Sequence, residues 1–146
     1  MYLEEIINDI QLENDKFECK GKLNREDVVG WLKSIAGLAN ASGGDFYIGV
    51  EDKTNKLIGF DRAGVDNERN YFNNQVNEHL VPRPQMKISF IRYEVKGNER
   101  FIIHVQIPES VIKPVILKYK NIPSIFMRRD GFTNGATYEE IIEMSV

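Results

Sequence analysis

The run Ile35-Ala36-Gly37-Leu38-Ala39-Asn40-Ala41-Ser42-Gly43-Gly44-Asp45-Phe46-Tyr47-Ile48-Gly49-Val50-Glu51-Asp52-Lys53 changes its hydrophobic period halfway along. Up to Asn40, the positions Val28, Leu32, Ile35, Ala36 and Ala39 recur at helical spacing, which predicts a helix burying one face. Beyond it, Phe46, Ile48 and Val50 alternate with Tyr47 and Gly49, the period of a strand packed on one side. Gly43-Gly44 marks the change. Glycine accepts the positive φ that a helix exit needs, so the pair predicts a tight helix-to-strand turn after a helix ending at Asn40. The strand then runs into an acidic tip, Glu51-Asp52-Lys53-Thr54-Asn55.

Working outward, Leu3, Ile6, Ile7 and Ile10 predict a short helix over residues 2–10, broken by Glu13-Asn14-Asp15. Residues 16–23 read as the first strand, and Asn24 offers an N-cap with Asp27 three positions on. Thr54-Asn55-Lys56 turns the chain into residues 56–60, predicting a hairpin. Asp66 reads as the cap of a second helix in which Phe72, Val76 and Leu80 repeat every four residues until Pro82 and Pro84 stop it. Residues 86–95 and 100–107 flank Lys96-Gly97-Asn98-Glu99 as a further hairpin, with Phe101, Ile103, Val105 and Ile107 on one face. Pro108 and Pro114 bound an irregular connection, residues 117–120 and 124–129 read as strands, and Thr137 with Glu140 forms a capping box for a closing helix. The order implies an α+β fold in which a mixed sheet is covered by helices, one domain over residues 1–146.

At 146 residues, with 42% hydrophobic and 28% charged residues, the chain is long enough for one real core. No apolar run approaches the roughly 20 residues that span a bilayer, so no membrane partner is expected. Met1-Tyr2-Leu3-Glu4-Glu5 lacks the basic start of a signal peptide, and a single cysteine suits a reducing, cytoplasmic setting. Cys19 reads as a small strand residue and Trp31 as a core residue. The net charge of −3 gives no global attraction to phosphates. Any nucleic-acid face must therefore be local or supplied by other subunits.

Phe17-Glu18-Cys19-Lys20, the Ala39-Asn40-Ala41-Ser42-Gly43-Gly44 helix end and Gly49-Val50-Glu51-Asp52-Lys53 together resemble the Schlafen-type AlbA-like domain. In that family a Glu-Phe-Lys strand precedes a helix ending Ala-Asn-Thr-x-Gly-Gly and a Gly-Val-Asp-Asp-Lys strand end. Here Cys19 replaces the aromatic, Ala41 the threonine and Glu51 the first aspartate. Leu57-Ile58-Gly59, Leu80-Val81-Pro82-Arg83-Pro84, Ile107-Pro108 with Lys113-Pro114-Val115, Ile125–Gly131 and Ala136-Thr137 with Glu139-Glu140-Ile141 extend the likeness in order. The resemblance implies an AlbA-like Schlafen core and a DNA-binding module of bacterial transcriptional regulators, with DNA or RNA as partner. Apart from the resemblance, a homo-oligomer is an expected partner state.

The basic residues that fit this reading are Lys113, Lys118, Lys120, Arg128 and Arg129, interleaved with Tyr119 and Phe126 and supported by Arg83, Lys87 and Arg92. Such a face would meet phosphates while an aromatic stacks on an unpaired base. The plainer reading is that these cations solvate strand edges. Some Schlafen-family members look like RNA endonucleases with two glutamates and a later aspartate, which by position are Glu13, Glu18 and Asp52. Under that alternative the three carboxylates hold Mg or Mn, which activates water against a phosphodiester; otherwise they are turn and ion-pair residues. A third alternative is a protein-interaction or oligomerisation module. Outside the nuclease alternative no cofactor and no metal is expected. Gly43-Gly44 does not read as a phosphate loop, because the turn runs helix to strand and Asp45, not lysine, follows it. Asn40 reads chiefly as the cap of its own helix, with a site role as the alternative, and His79 and His104 show no ligand partners.

Overall fold

A computed structural model of the chain describes residues 16–145. Within them the elements run β1 (Phe17–Lys20), α1 (Val28–Asn40), β2 (Gly43–Ile48), α2 (Arg62–His79), β3 (Leu80–Val81), β4 (Lys87–Val95), β5 (Asn98–Pro108), β6 (Ile116–Tyr119), β7 (Ile122–Arg129), β8 (Phe132–Gly135) and α3 (Tyr138–Ser145). The helix expected over residues 2–10 lies outside the described residues, as does Glu13. The α+β class is as read from the sequence, but the strands form two sheets instead of one. The first has the order β1-β2-β5-β4 and is mixed, since β1 runs parallel to β2 while β5 is antiparallel to both its neighbours. The second, β3-β6-β7-β8, is antiparallel throughout. Its strands β3 and β8 are two and four residues long, too short for alternation to stand out from loop sequence.

Helix α1 lies between the two sheets, packing on β2 and β5 from one side and on β6, β7 and β8 from the other. It is therefore buried nearly all round rather than on one face, from Trp31 and Leu32 through Ser34–Asn40. Small residues make the double contact possible: a Cβ added to Gly37 would sit 2.9 Å from Thr133 Cγ2 on β8. The helix starts later than the sequence suggests. Asp27 Oδ1 caps it by accepting from Gly30 N at 3.0 Å, while Asn24 Oδ1 accepts from the amides of Glu26 (2.8 Å) and Asp27 (3.1 Å) in the turn before. Helix α2 starts earlier, capped by Asp61, whose Oδ1 accepts from Gly64 N at 2.7 Å; Asp66 instead lies 3.6 Å from Arg69.

Residues 56–60 form no strand, only single bridges from Leu57 to Val50 and from Phe60 to Phe101. Positive φ at Lys53 (72°), Asn55 (58°) and Gly59 (59°) interrupts the extended run and hands Phe60 to β5. The β4–β5 hairpin closes through Lys96 (φ 51°) and Gly97 (φ 81°), a two-residue turn whose left-handed pair matches strand twist. The main core joins α1, α2 and the inner face of the first sheet, with Trp31 and Phe46 both stacked on Phe72 at 5.7 and 6.2 Å. On the other face Phe17, Cys19, Tyr47, Val50, Tyr93 and Ile102 form a second buried cluster. Strand β2 is thus packed on both sides, not one.

Both turn glycines are required. Gly43 has φ 79°, and a Cβ there would meet the Ile107 carbonyl oxygen at 2.5 Å. Gly44 has ordinary φ, but its Cβ would press on the Lys16 carbonyl. Just upstream, the amide of Ala41 closes α1 on the Gly37 carbonyl, leaving the Asn40 side chain free for tertiary contacts. Completely buried, Asn40 donates Nδ2 to the carbonyls of Val115 (3.0 Å) and Phe126 (2.9 Å) and accepts from Val115 N at 2.7 Å. It is a stitch between the central helix and the second sheet rather than a cap. At the chain's far end the expected capping box is present: Glu140 N donates to Thr137 Oγ1 and Thr137 N to Glu140 Oε1. Arg129 also grips Glu140 with two bonds of 2.8 Å. That guanidinium, followed by the Thr137 donors, holds the Glu140 carboxyl down at about 2.

Gly43→Ala and Gly44→Ala are each expected to lower stability by more than about 1 kcal/mol in urea or thermal melts, the first through φ and contact, the second through contact alone. Asn40→Ala leaves up to three buried backbone groups without partners, at about 1–3 kcal/mol each, and is expected to cost more than either glycine change. Because the folded pKa of Glu140 is depressed from 4.5 to about 2, its contribution is present above about pH 4.5 and lost as pH falls toward 2. The gap in urea midpoint between wild type and Glu140→Gln should therefore shrink across that window.

Candidate nucleic-acid interface

Strand β1 alternates, so Phe17 and Cys19 enter the second core cluster while Glu18 and Lys20 face the opposite side. There, β1, the first turns of α1 and the β7–β8 turn enclose a cleft of about 620 Å³. Lys20, Lys22, Lys33 and Arg128 supply its positive charges and Glu18, Asp27 and Asp52 its negative ones. The loop between β1 and α1 is held firmly. Leu23 N donates to Glu68 Oε2 at 2.8 Å, Arg25 pairs with the buried Glu68 at 2.7 Å and lies 3.9 Å over the Tyr71 ring, and Trp31 Nε1 donates to the Asn24 carbonyl at 3.1 Å.

Arg128 crosses from the second sheet to the first. Its side chain is 6% exposed, donates to Glu18 Oε1 at 2.8 Å and Thr133 Oγ1 at 3.2 Å through Nη1, and to the Phe17 carbonyl at 3.0 Å through Nη2. Lys20 Nζ lies 3.5 Å from the other Glu18 oxygen. Glu18 is thus neutralised from two sides. Burial pushes the Cys19 thiol well above its ordinary range, and the charges of Asp52 and Glu18 push it further, so it stays a protonated strand residue. Lys22 and Lys33 also line the cleft and have no carboxylate within ion-pair distance among the described residues.

The five basic residues singled out from the sequence do not share one surface. Lys113 is engaged with Glu109 at 2.7 Å and the Ala41 carbonyl at 3.2 Å, Arg128 is buried in the bridge to β1, and Arg129 is clamped by Glu140. Lys118 and Lys120 remain exposed on the β6–β7 hairpin, with Lys120 Nζ 5.5 Å from the Tyr119 ring centre. Of the supporting set, Arg92 pairs with Glu94 and Glu99. Of the acidic set, Glu18 and Asp52 line the cleft together. No group of three His, Cys, Asp or Glu able to hold a metal occurs among the described residues, and Glu18 already carries Arg128. The described residues alone therefore do not compose a cation site. The glycine pair faces the backbone of Ile107, Glu109 and Lys16, which leaves no cradle for a phosphate.

His104, expected to stand alone, is hydrogen-bonded to Asp45 Oδ1 at 2.7 Å and stacked on Tyr47 with ring centres 4.4 Å apart. Burial and then Asp45 push the Tyr47 hydroxyl up to about 12. His79 Nδ1 lies 3.1 Å from the Lys118 carbonyl, its ring against Tyr119. Sequence reasoning passed over Lys22 and Lys33. The available signal was Lys20-Gly21-Lys22, two cations two positions apart at the end of the first strand.

Residues 13–137 match the family model described as Schlafen, AlbA_2. Among curated proteins, an uncharacterized ATP-binding protein, UU034, from Ureaplasma parvum serovar 3 is 26% identical over 130 residues, covering 82% of this chain. The chain spans 37% of that relative's length. Among solved structures, the N-terminal domain of a DNA helicase RecG-related protein from Nitrosomonas europaea superimposes with a TM-score of 0.57 at 17% identity, covering 92% of each chain. The DIP2311 protein from Corynebacterium diphtheriae gives 0.54 at 16% identity over 90% of this chain and 24% of its own. These two likenesses concern the fold. With the family match spanning most of its length, the chain belongs to the Schlafen AlbA_2 family.

Proposed function

We propose that this domain binds DNA or RNA in the cleft between β1, α1 and the β7–β8 turn, as a nucleic-acid module of a regulator-type protein. The observation that carries the reading is the pair Lys22 and Lys33, two cations without carboxylate partners at one cleft, in a chain whose net charge is −3. Binding to phosphates is driven by cations that are free to release counterions, and most of this chain's arginines are already committed to carboxylates or carbonyls. Family membership and the RecG-related fold relative support the same class. The curated relative's name includes ATP binding, but with the glycine turn walled by backbone, nucleotide hydrolysis there is no part of the proposal.

A second reading, metal-dependent cleavage of RNA, is favoured by one fact: Glu18 and Asp52 line the same cleft. In that reading Glu18 would exchange Arg128 for a cation, with Glu13, outside the described residues, completing the set.

Fluorescence anisotropy with short DNA and RNA oligonucleotides separates these readings. Lys22→Ala with Lys33→Ala is expected to weaken binding about tenfold across sequences and to reduce the salt slope by nearly two. Binding indifferent to salt, or a loss seen only with Lys118→Ala and Lys120→Ala, would move the interface away from the cleft. Cleavage that needs magnesium or manganese and disappears in Glu18→Gln would establish the second reading in place of the first.

A further inference from the structure

The β7–β8 hairpin brings one exposed aromatic ring to the cleft. Among the described residues that line it, Trp31 and Phe17 are buried at 1% and 6% exposure, whereas Phe132 is 69% exposed. Its mount is rigid. Asp130 (φ 50°) and Gly131 (φ 82°) form a two-residue turn closed by the Arg129–Phe132 pair. On one side of this turn Arg129 is clamped by Glu140, and next to Phe132 on the other Thr133 Oγ1 accepts from the buried Arg128 at 3.2 Å. The backbone that carries Phe132 is thus fixed while its ring is left in water. The aromatics expected from the sequence to stack on a base, Tyr119 and Phe126, instead pack against the main core.

The charges beside the ring point to what it meets. Lys22 and Lys33 favour phosphates, but Asp27 and Asp52 line the same cleft with no cation within ion-pair distance among the described residues. Carboxylates repel a phosphate backbone, whereas they accept hydrogen bonds from the exocyclic amines of bases. A duplex offers such amines only along its grooves, and reading a groove takes a protein surface of roughly 1,000–2,500 Å². The cleft, at about 620 Å³, is instead on the scale of a pocket for one small molecule, roughly 300–1,000 Å³. An unpaired strand can rest its phosphates on the lysines and turn one base inward, flat against Phe132. Every base has a π face, so such stacking tolerates any sequence. We propose that the cleft selects unpaired DNA or RNA over duplex, with Phe132 as the platform on which one base stacks. This selectivity rests on the cleft being the nucleic-acid site, and adds the strand state it accepts and the residue that chooses it.

Fluorescence anisotropy of the whole chain with labelled probes of one length tests this: single-stranded DNA, single-stranded RNA, the same DNA as duplex, and a DNA strand with abasic central positions. The wild type is expected to bind the base-bearing strands about tenfold more tightly than the duplex or the abasic strand, the DNA and RNA arms reading the sugar separately. Phe132→Ala should bring these affinities close together without changing the salt slope, because no phosphate contact is removed. Phe132→Trp should keep the preference, and Phe132→Leu, apolar but without a π face, should lose it. Melting of all three variants should match the wild type, since the ring is exposed. Equal wild-type affinity for strand and duplex, or a preference that survives in Phe132→Ala, would overturn the proposal and leave the lysine-lined cleft as the binding site. A wild type that binds none of the probes overturns both.

Discussion

Three hydrogen bonds from Asn40 hold the two halves of this domain in register. Helix α1 is buried between two sheets, and a buried helix end must find partners for its polar groups without water. The Ala41 amide closes the last turn, while Asn40 reaches out to Val115 and Phe126, so that the second sheet is positioned from the helix that the first sheet supports. Gly37 lets β8 approach, and the glycine turn brings β2 in under the β5 backbone. A side chain that looks like an ordinary helix-end residue therefore sets the spacing of the layers. The cleft, whose walls come from opposite sheets, inherits its width from that spacing.

Within the cleft, charge is arranged by commitment rather than by number. Arg128 satisfies Glu18, Thr133 and the Phe17 carbonyl at once, and with almost no exposure it acts as an internal tie. Buried pairs of this kind owe much of their importance to what would happen on removing one partner, because the other is then left charged and dry. The exposed lysines nearby carry no such duty. This division leaves Lys22 and Lys33 without carboxylate partners among the described residues of an acidic chain, while most of its guanidinium groups hold the fold together.

How much of this the sequence disclosed depended on how local each signal was. The glycine turn, the end of α1 at Asn40, the β4–β5 hairpin and the Thr137–Glu140 box rest on neighbours a few residues apart, and all are present. The helix starts were misplaced because Asn24, Asp27, Asp61 and Asp66 are all competent caps, and tertiary packing selects among them. The second sheet escaped notice because β3 and β8 are only two and four residues long and β3 joins β6 from far back along the chain. Arg128 was legible as a cation but not as a buried one, since its partners Glu18 and Phe17 lie 110 and 111 residues away. Asn40 was misjudged for the same reason, its partners being 75 and 86 residues distant. The cleft lysines fall outside the basic run near the chain's end and acquire meaning only beside β7 and β8.

That separation bears on how the domain comes into being. One wall of the cleft is laid down near residue 20 and the other near residue 130, and Arg128 is the tie between them. During synthesis, a nascent chain emerges with β1, α1 and β2 long before the ribosome releases the segment that covers them. Until then α1 has one sheet instead of two, Glu18 has no Arg128 guanidinium, and the apolar side destined for β7 faces solvent or a chaperone. The complete cleft is consequently a late product of translation. A chain interrupted in its last fifth would carry most of the core and one wall of the cleft without the other.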